Sequence, residues 1–424
     1  MIRLVNISAP FLVNERVHMP LGLMYLHEYL TSKGMDVPQI TDLSQTEPSE
    51  WKIPEGKLYG ISATTPQYPL ALIAKTKIKE MNRRAKVIIG GAHASAMPND
   101  CYYDGFDYVV MGEGEKVLFD IVSGKIKQPI VCYPKSKDID IYPYPKLTAI
   151  DIKNYTQKIT FAFQGQVIER NSGWLFSSRG CPQKCTFCAS PLIWESKIRM
   201  HSMGYMKEWL KYWQGMGVED FYFPDEQIAV SKRRLFDICE MMSSIKGYWK
   251  CQVRGDTMTE EKLKAMYDSG CRQIHLGVET GSQRMLDWCK KNETVEQVEH
   301  ALVTAHKCGL GVKAGVLVGL PTETQADVDM TAAFLKRTQP EEVIVSIFVP
   351  YPGCNVFHAP EKNKYKLSHR DWSEYYSLGK ETLTPVIDKE REEEIHRWRL
   401  QLLDVCGKSD QLMAQKERWE SWKS

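Results

Sequence analysis

The chain has 424 residues, of which 43% are hydrophobic and 25% are charged, so it can bury a sizeable core and has room for two or three domains. Its 55 basic and 53 acidic residues give a formal charge of +2, and no run of one sign predicts a nucleic-acid or lipid partner. No segment approaches the ~18 uninterrupted apolar residues of a membrane span. The 12 cysteines, in a long chain without a signal peptide, indicate reduced thiols and a cytoplasmic protein.

The first part of the chain alternates short apolar strands with amphipathic helices. Strands are predicted at 2–8, 58–63, 86–91 and 107–111, with a weaker one at 36–43, and helices at 20–34, 68–82 and 115–122. This alternation is typical of an open parallel sheet with helices on both faces. Residues 1–128 are therefore predicted to form a doubly wound, Rossmann-like α/β domain, whose ligands would bind at the carboxyl ends of the strands.

A second alternating region follows a proline-rich stretch. Residues 129–170 show no sustained periodicity, so they are predicted to form a linker on the surface. Within 171–358, strands are predicted at 174–178, 218–223, 249–254, 273–279, 312–319 and 343–349. Six strand–helix units predict a partial (β/α)6 barrel of the TIM type, whose chemistry lies on the loops after the strands. Residues 359–424 are predicted to form a small helical C-terminal region, with its clearest helix at 390–403.

Three cysteines stand together in the stretch RGCPQKCTFCAS, directly after the first predicted barrel strand. Cys181, Cys185 and Cys188 have the spacing C-x3-C-x2-C, which would arise by chance in about 1% of chains with this cysteine content. A structural zinc site would need a fourth ligand, for which His201 is the nearest candidate. Three thiolates instead suit three irons of a [4Fe-4S] cluster and leave the fourth iron open. The spacing favours a cluster with an open iron.

The three cysteines, with Phe187 before the last of them and a barrel behind, resemble the signature of the radical SAM superfamily. The resemblance implies that S-adenosylmethionine (SAM) binds the open iron and is cleaved to a 5'-deoxyadenosyl radical. It also implies an electron donor such as flavodoxin or ferredoxin. Phe187 is expected to pack near the adenine.

Motifs at later strand ends extend this resemblance. FPDEQ places Asp225 and Glu226 where the family commonly binds the SAM amino group, although an exposed acidic turn is the alternative. QVRGD places Arg254 within reach of the SAM carboxylate or in a structural ion pair. LGVETGS is expected to bring Glu279 near the ribose or the methionine part. VGLPTET is expected to bring the backbone of Gly319 near the adenine.

Four N-terminal motifs resemble the cobalamin-binding domain that precedes many radical SAM barrels. They are MPLGLMYLHEYL, GISATTPQYPLAL, IIGGAHASAMP and YVVMGEGE, which occur in the expected order. Any one of their glycines alone would indicate only a tight turn. The resemblance implies that cobalamin is bound by glycines and polar residues at the strand ends, namely Ser62, Thr64, Thr65, Gln67, Gly90, Gly91, His93, Gly112 and Glu113.

The motif D-x-H-x-x-G, which supplies a lower cobalt ligand in some other cobalamin enzymes, does not occur in this sequence. His93 is the available substitute, but the resemblance places its loop beside the nucleotide tail of cobalamin. The turn 66–68 is instead expected to cover the lower face of the cofactor. An unligated face would ease cycling of cobalt through its reduced states.

Two cofactors in one chain imply a cobalamin-dependent radical SAM C-methyltransferase. In that reaction one SAM methylates cobalamin, and a second yields the radical that removes hydrogen from an unactivated substrate carbon; no catalytic side chain is obligatory. The alternative uses the same cofactors for a cyclisation, rearrangement or oxidation without methyl transfer. A methylthiolating tRNA enzyme would need further cluster cysteines and a basic RNA-binding appendage, which the sequence lacks. The substrate, a small molecule or a peptide or protein, is not identified by the sequence.

Overall fold

The computed structural model describes residues 2–155, 158–360, 362, 364–367, 371–377 and 386–406. These residues form two α/β domains, each built on its own sheet, and a C-terminal segment that packs on both domains. No helix among them is both long and apolar enough to cross a bilayer.

The first domain is a parallel sheet of six strands in the order β2-β1-β3-β4-β5-β6. Its strands are β1 (Ile2–Asn6), β2 (Thr41–Asp42), β3 (Leu58–Ser62), β4 (Lys86–Gly90), β5 (Tyr108–Met111) and β6 (Ile130–Cys132). Its helices are α1 (Leu21–Ser32), α2 (Tyr68–Met81), α3 (Ala92–Ala96), α4 (Pro98–Tyr103) and α5 (Glu115–Val122). The predicted doubly wound sheet is confirmed, and each predicted helix lies within two residues of its expected bounds.

Successive side chains of the central strands enter different cores, as they must in a sheet covered on both faces. In β4, Ile88 joins the core that contains Leu23 of α1 and Val117 of α5. Its neighbours Val87 and Ile89 join the core on the opposite face, beneath α2. Because both faces are apolar, these strands appear in the sequence as continuous apolar runs.

The second domain is a nearly closed barrel. Its sheet has seven strands in the order β15-β14-β13-β12-β11-β8-β7, and all but the edge strand β7 run parallel. The strands are β7 (Lys158–Phe163), β8 (Gln166–Trp174), β11 (Asp220–Phe223), β12 (Trp249–Val253), β13 (Cys271–Glu279), β14 (Gly311–Val318) and β15 (Glu342–Ile347), and a short ribbon pairs β9 (Ser178–Arg179) with β10 (Arg199–Met200). The predicted barrel with six parallel strands is confirmed.

Helices α6 to α12 connect the barrel strands, and several begin at a capping hydroxyl. Their bounds are α6 (Ser190–Trp194), α7 (Met203–Gly215), α8 (Lys232–Met242), α9 (Glu260–Asp268), α10 (Gln283–Trp288), α11 (Val295–Lys307) and α12 (Gln325–Thr338). Ser202, Ser231, Thr259 and Thr294 each accept a hydrogen bond from a backbone N–H in the first turn of α7, α8, α9 and α11. These caps fix where each helix starts after its strand.

The stretch 129–170 is not the surface linker that its composition predicts. It supplies β6 to the first sheet and β7 to the second. Ile139, Tyr142 and Ala149 are buried in a core that both domains share. These residues fill spaces between the two domains and do not lie on one face of a helix or strand. Their positions therefore show neither helical nor strand periodicity in the sequence. The boundaries predicted between the domains remain a prediction.

The first parallel strand of the barrel also differs from its prediction at 174–178. β8 starts at Gln166, because its first half pairs with β7 in an exposed hairpin and therefore carries polar residues. Only the part from Ser172 to Trp174 pairs with β11. The apolar residues after Trp174 belong to the connection toward the cysteines.

In the C-terminal region, the helix predicted at 390–403 is confirmed as α13 (Glu392–Cys406), which packs against α12 and β15. The described part before it is irregular, with one isolated bridge between Leu367 and Ile387. The end of the predicted region, 407–424, lies outside the described residues.

Candidate functional site

The loop that carries the three cysteines starts from a fixed base. The ribbon of β9 and β10 pairs Ser178 with Met200 and Arg179 with Arg199, so the two ends of the loop are held together. Gly180 has a φ of 99°, and a Cβ there would collide with the carbonyl oxygen of Lys197. Glycine thus permits the sharp turn just before the first cysteine.

The thiols of Cys181, Cys185 and Cys188 are free, partly exposed and close enough to influence one another's ionisation. The backbone N–H of Cys188 donates to the carbonyl of Cys185 at 3.2 Å, which closes a turn between them. Burial, with smaller contributions from the other two thiols, raises the pKa of the Cys188 thiol to about 12. Three soft sulfur donors on one accessible loop fit an iron–sulfur cluster. As placed in the described chain, these thiols do not converge on the position of a single metal ion, and neither does any other group of three His, Cys, Asp or Glu side chains.

Cationic groups lie beside the cysteine loop. Burial raises the pKa of the Cys185 thiol, and the nearby charges of Arg254 and Lys291 oppose that rise. The Arg254 guanidinium, at the end of β12, donates to Asp256 at 3.1 and 3.2 Å and to the carbonyl of Lys291 at 2.6 Å. The structure therefore contains the ion pair that was one of the two expectations for Arg254, and contact with the SAM carboxylate stays a prediction.

Glu279 ends β13 in a left-handed conformation, with a φ of 61°. Its carboxylate lies 3.1 Å from the ammonium of Lys291, which also lies 3.1 Å from Glu293. Lys291 is almost fully buried, so this triad neutralises its charge away from bulk water. Glu279 is thus near the cysteine loop and already paired.

The neighbours Asp225 and Glu226 follow β11 and have different surroundings. Asp225 is completely buried and accepts hydrogen bonds from the Ser177 backbone N–H and hydroxyl and from the Ser178 hydroxyl at 2.6–3.1 Å. Burial raises its pKa to about 6. Glu226 is partly exposed and accepts a hydrogen bond from the Ser190 hydroxyl at 3.0 Å. The pair is therefore not an exposed acidic turn: Asp225 holds the segment before the cysteines, and only Glu226 faces open space.

The two residues expected near adenine lie in one region. Gly319 has a φ of 81°, and its backbone N–H donates to the buried carboxylate of Glu323 at 2.6 Å. Phe187 packs against the apolar cluster that contains Leu320 and Val349. The cysteine loop and the end of β14 are therefore neighbours, as the resemblance expects.

A cavity of about 290 Å³ lies where the carboxyl ends of the first sheet meet the cysteine loop. We call its first-domain side the sheet-edge wall, formed by Ser62, Gly90, Gly91 and Gly112. Gly91 has a φ of 92°, and a Cβ there would lie 2.8 Å from the Ser62 hydroxyl and 2.8 Å from the Ala63 carbonyl oxygen. A side chain would fill this cradle, so the wall fits close approach of a large ligand to the backbone. The opposite side includes Phe176, Ser178, Arg179, Trp194 and Glu226.

A second cavity, of about 340 Å³, adjoins the first, since Ala92 and Ile193 line both. The first domain contributes Phe11, Leu12, Thr64, Thr65 and Pro66, the second contributes Ala189, Leu192, Tyr351 and Pro352, and the C-terminal segment contributes Tyr376 and Ser377. The two adjoining cavities lie at the junction between the sheet edge and the barrel.

Gln67 and His93 line neither cavity. The Gln67 side chain accepts from the Thr64 hydroxyl at 2.8 Å and donates to the Ile7 carbonyl at 2.9 Å, so it braces the turn. His93 is fully buried with its ring stacked 4.0 Å from Tyr68, and burial lowers its pKa to about 4. Nε2 of His93 has no hydrogen-bond partner in the described chain. The structure gives Gln67 a bracing role and leaves cobalt ligation by His93 without support.

Sequence reasoning missed an ion-pair cluster that joins the domains. Glu113, expected to contact cobalamin, lies 2.9 Å from Arg179 and 2.8 Å from Arg199, and Glu115 lies 2.9 Å from Arg179. These four side chains are nearly buried. The Arg179 guanidinium also lies 4.8 Å from the ring of Tyr25. The signal was present as two acidic residues after β5 and two arginines flanking the cysteine loop, but neither spacing shows that they meet.

His201, the nearest candidate for a fourth zinc ligand, is engaged elsewhere. Its Nδ1 lies 2.8 Å from Asp140, and its ring stacks 4.0 Å from Tyr205. Burial lowers its pKa to about 4.

Comparison with known protein families matches both domains. The radical SAM superfamily model matches residues 175–335, and the B12-binding domain model matches residues 11–122. The chain is 28% identical, over 392 residues, to an uncharacterized methyltransferase of Pyrococcus horikoshii, covering 85% of this chain and 82% of that protein. It is 24% identical to the bacteriochlorophyllide d C-8(2)-methyltransferase of Chlorobaculum tepidum, covering 70% of this chain and 67% of that protein.

The arrangement of the two domains also matches a solved structure. It is the radical S-adenosylmethionine methyltransferase TsrM from Kitasatospora setae, with cobalamin and a [4Fe-4S] cluster bound. The TM-score is 0.65 at 16% identity, over 92% of this chain and 85% of that one. At this identity the match concerns the fold.

Proposed function

We propose that this chain, which belongs to the cobalamin-binding radical SAM enzymes, transfers a methyl group from SAM by way of cobalamin to an unactivated carbon. The observation that carries the proposal is the junction of two adjoining cavities between the sheet-edge wall and the cysteine loop. A carbon activated at one cofactor can accept a methyl group from the other only if both lie against one shared space. Ala92 and Ile193, which line both cavities, mark that space.

The residues present fit a [4Fe-4S] cluster, SAM and cobalamin. Cys181, Cys185 and Cys188 supply the sulfur donors, and the cradle at Gly91 lets a large ligand approach the backbone. When bound, the cluster supplies an electron for SAM cleavage, SAM supplies the methyl group and the hydrogen-abstracting radical, and cobalamin carries the methyl group. Glu226 is the carboxylate we assign to the SAM amino group, because Asp225 is already saturated by serine donors.

The chain's own side chains position the reactants and exclude water. Leu12, Pro66, Leu192 and Tyr351 surround the second cavity with mostly apolar surface. An enclosed apolar site protects reactive species from side reactions with solvent. Asp225 is a positioning residue, since it acts on the cysteine loop through Ser177 and Ser178 without lining either cavity.

We also propose a substrate class, an electron donor and a cellular location. The substrate is a small molecule or a peptide or protein, and the electron donor is a small redox protein such as flavodoxin or ferredoxin. The free thiols of the described chain suit a reducing compartment, so we place the enzyme in the cytoplasm.

The test is turnover with SAM that carries a CD3 group, under anaerobic conditions and with a chemical or protein reductant. We expect a product that retains the CD3 group, with one S-adenosylhomocysteine and one 5'-deoxyadenosine formed for each product molecule. A matched control is Cys132→Ala, which removes an exposed thiol outside the loop and should leave turnover unchanged. Deoxyadenosine formed with a confirmed substrate, but without label transfer or homocysteine product, would refute methyl transfer and favour a cyclisation, rearrangement or oxidation.

A further inference from the structure

Below the strand ends, the barrel interior is lined by side chains that keep some exposed surface, and we call this region the recess. In β12, β13 and β14 the partly exposed residues alternate with fully buried ones. The buried set packs in the core with the surrounding helices, so the partly exposed set faces the barrel interior. A residue that faces inward and still has exposed surface lines space that water can enter. In its lower part, this space is lined by Lys250, His275 and Lys313.

Two lysines project into this recess. The Lys250 ammonium donates to the carbonyl of Thr160 in β7 at 2.7 Å and lies 5.5 Å from the ring centre of Tyr222. No carboxylate of the described residues lies within ion-pair distance of Lys250. The Lys313 ammonium lies 3.8 Å from Glu342, whose carboxylate also accepts a 2.6 Å hydrogen bond from Gln273. A single acidic group therefore serves two lysines.

Two histidines complete the lining. His275 pairs in register with Lys313 on the adjacent strand, and neither of its ring nitrogens has a hydrogen-bond partner in the described part of the chain. His18 reaches the recess from the first domain, with its ring centre 4.7 Å from that of Trp174. His18 is exposed as a residue, yet burial of its ring and the charge of Lys250 lower the pKa of the imidazole. The ring therefore lies among protein atoms near Lys250, while part of the residue faces solvent.

The charges in the recess are unbalanced. Burial and Lys313 lower the pKa of Lys250 to about 8, and burial and both lysines lower the pKa of His275 to about 4. Higher in the barrel, Glu279 and Glu293 are both paired with Lys291, so neither carboxylate is free to balance the lysines of the recess. A cationic site without its full complement of anions is stabilised when a ligand brings one.

We propose that the recess formed by His18, Lys250, His275 and Lys313 binds the anionic group of the substrate, a carboxylate or a phosphate. This inference rests on the proposed function, because it takes the barrel interior as the place where a substrate is anchored for methylation. Trp174 and Tyr222 are edge-to-face neighbours at 5.4 Å beside the lysine, so an apolar or aromatic body next to the acid group suits the site. A neutral molecule would leave Lys250 without a carboxylate partner.

The first experiment measures binding of radiolabelled inorganic phosphate to the holoenzyme by equilibrium dialysis, without turnover. We expect one saturable site per chain, weakened at least about tenfold by Lys250→Met and by Lys313→Met. Lys250→Arg keeps the charge and should retain most of the binding. The matched control Lys232→Met removes an exposed lysine that pairs with Glu261 on the surface and should leave the affinity unchanged. Iron and cobalamin content confirm that each variant is assembled.

The second experiment asks whether an organic acid enters the same site. Phenyl phosphate and benzoate should displace the labelled phosphate, whereas benzamide, which is neutral and of similar shape, should not. Absent binding, or binding that both methionine variants retain, would overturn the site. Binding that organic anions cannot displace would overturn the role as a substrate anchor. Because neither measurement needs methyl transfer, a failed CD3 experiment with intact phosphate binding would refute the proposed function separately.

Discussion

The two sides of the junction are built by different means. The sheet-edge wall consists of Ser62 and three glycines, and its shape is set by backbone conformation. The barrel side combines apolar lining residues with the carboxylate of Glu226, and behind this lining lie charged groups such as Asp225 and Arg254, whose roles depend on the partners they bind. The comparison explains why the glycines of the wall could be expected from the sequence, whereas the partners of the charged residues could not. A glycine shapes the wall through its own backbone conformation. A carboxylate can bind a ligand only with the oxygen atoms that its hydrogen bonds within the protein leave free.

The largest effect is expected from removing the cysteines of the loop. If the two sides of the junction bind their cofactors independently, this change should abolish the cluster and leave cobalamin binding intact. Replacing Cys181, Cys185 and Cys188 together by Ala should abolish the broad visible absorbance of a cluster with ~4 irons, because it removes all three sulfur donors of the loop. Cobalamin binding should persist, since the sheet-edge wall contains none of these residues. Iron analysis and cobalamin absorbance check both halves. Retained iron in this variant would refute the cluster assignment, and lost cobalamin would refute the independence of the two sides.

The second prediction tests the charges that join the two sides. Glu113→Gln leaves the buried guanidiniums of Arg179 and Arg199 short of one carboxylate, and should lower the free energy of unfolding by about 4 kcal/mol. Burial alone would raise the pKa of Glu113, but the two arginines have the larger combined effect and hold this pKa below its usual range. Thermal unfolding of the holoenzyme measures the effect.

Glu195→Gln is the matched control for that variant. Glu195 is half-exposed and lies 3.7 Å from Lys135, so its loss should change stability by no more than about 1 kcal/mol. Equal effects of Glu113→Gln and Glu195→Gln would show that the cluster between the domains is not a strong link.

The sequence predicted the fold more fully than the site. Continuous apolar runs such as Val87 to Ile89 determined the parallel strands, because burial on both faces leaves a local signature. The site required pairs distant in the chain: Asp225 meets Ser177 across 48 positions, and Glu113 meets Arg199 across 86. Neither separation matches the periodicity of a helix or a strand, so neither pair can be recognised in the sequence. The stretch 129–170 failed for the same reason, since its buried residues fill a gap that two folded domains create.

The third prediction sharpens the backbone side of the comparison. Gly91→Ala adds a Cβ that is strained at φ 92° and lies 2.8 Å from two oxygen atoms, so it should cost about 3 kcal/mol and reduce cobalamin binding. Gly124→Ala is the control, because Gly124 also has a positive φ, of 72°, but has open space around it. The control should cost about 1 kcal/mol and leave cobalamin binding intact. Equal loss of bound cobalamin in both variants would mean that strain alone, and not the shape of the wall, explains the effect.

The smallest effect concerns the buried carboxylate on the barrel side. Burial raises the pKa of Asp225 from 3.8 to about 6, although serine donors oppose the rise. The folded state therefore holds the Asp225 proton more tightly than the unfolded state. Stability from this group is complete below about pH 4 and is lost as the pH rises through about 6. Between about pH 5 and about pH 7, the native protein should lose about 1 kcal/mol relative to Asp225→Asn, which cannot titrate.

Urea unfolding across this pH range measures the difference between the native protein and Asp225→Asn. Ser178→Ala sharpens the test, because it removes a 2.6 Å hydrogen bond that favours the charged carboxylate. In that variant the pKa of Asp225 should rise further and the loss of stability toward neutral pH should become steeper. Parallel curves for all three proteins would contradict the burial of Asp225. They would also return this residue to the set of free carboxylates that can bind the SAM amino group.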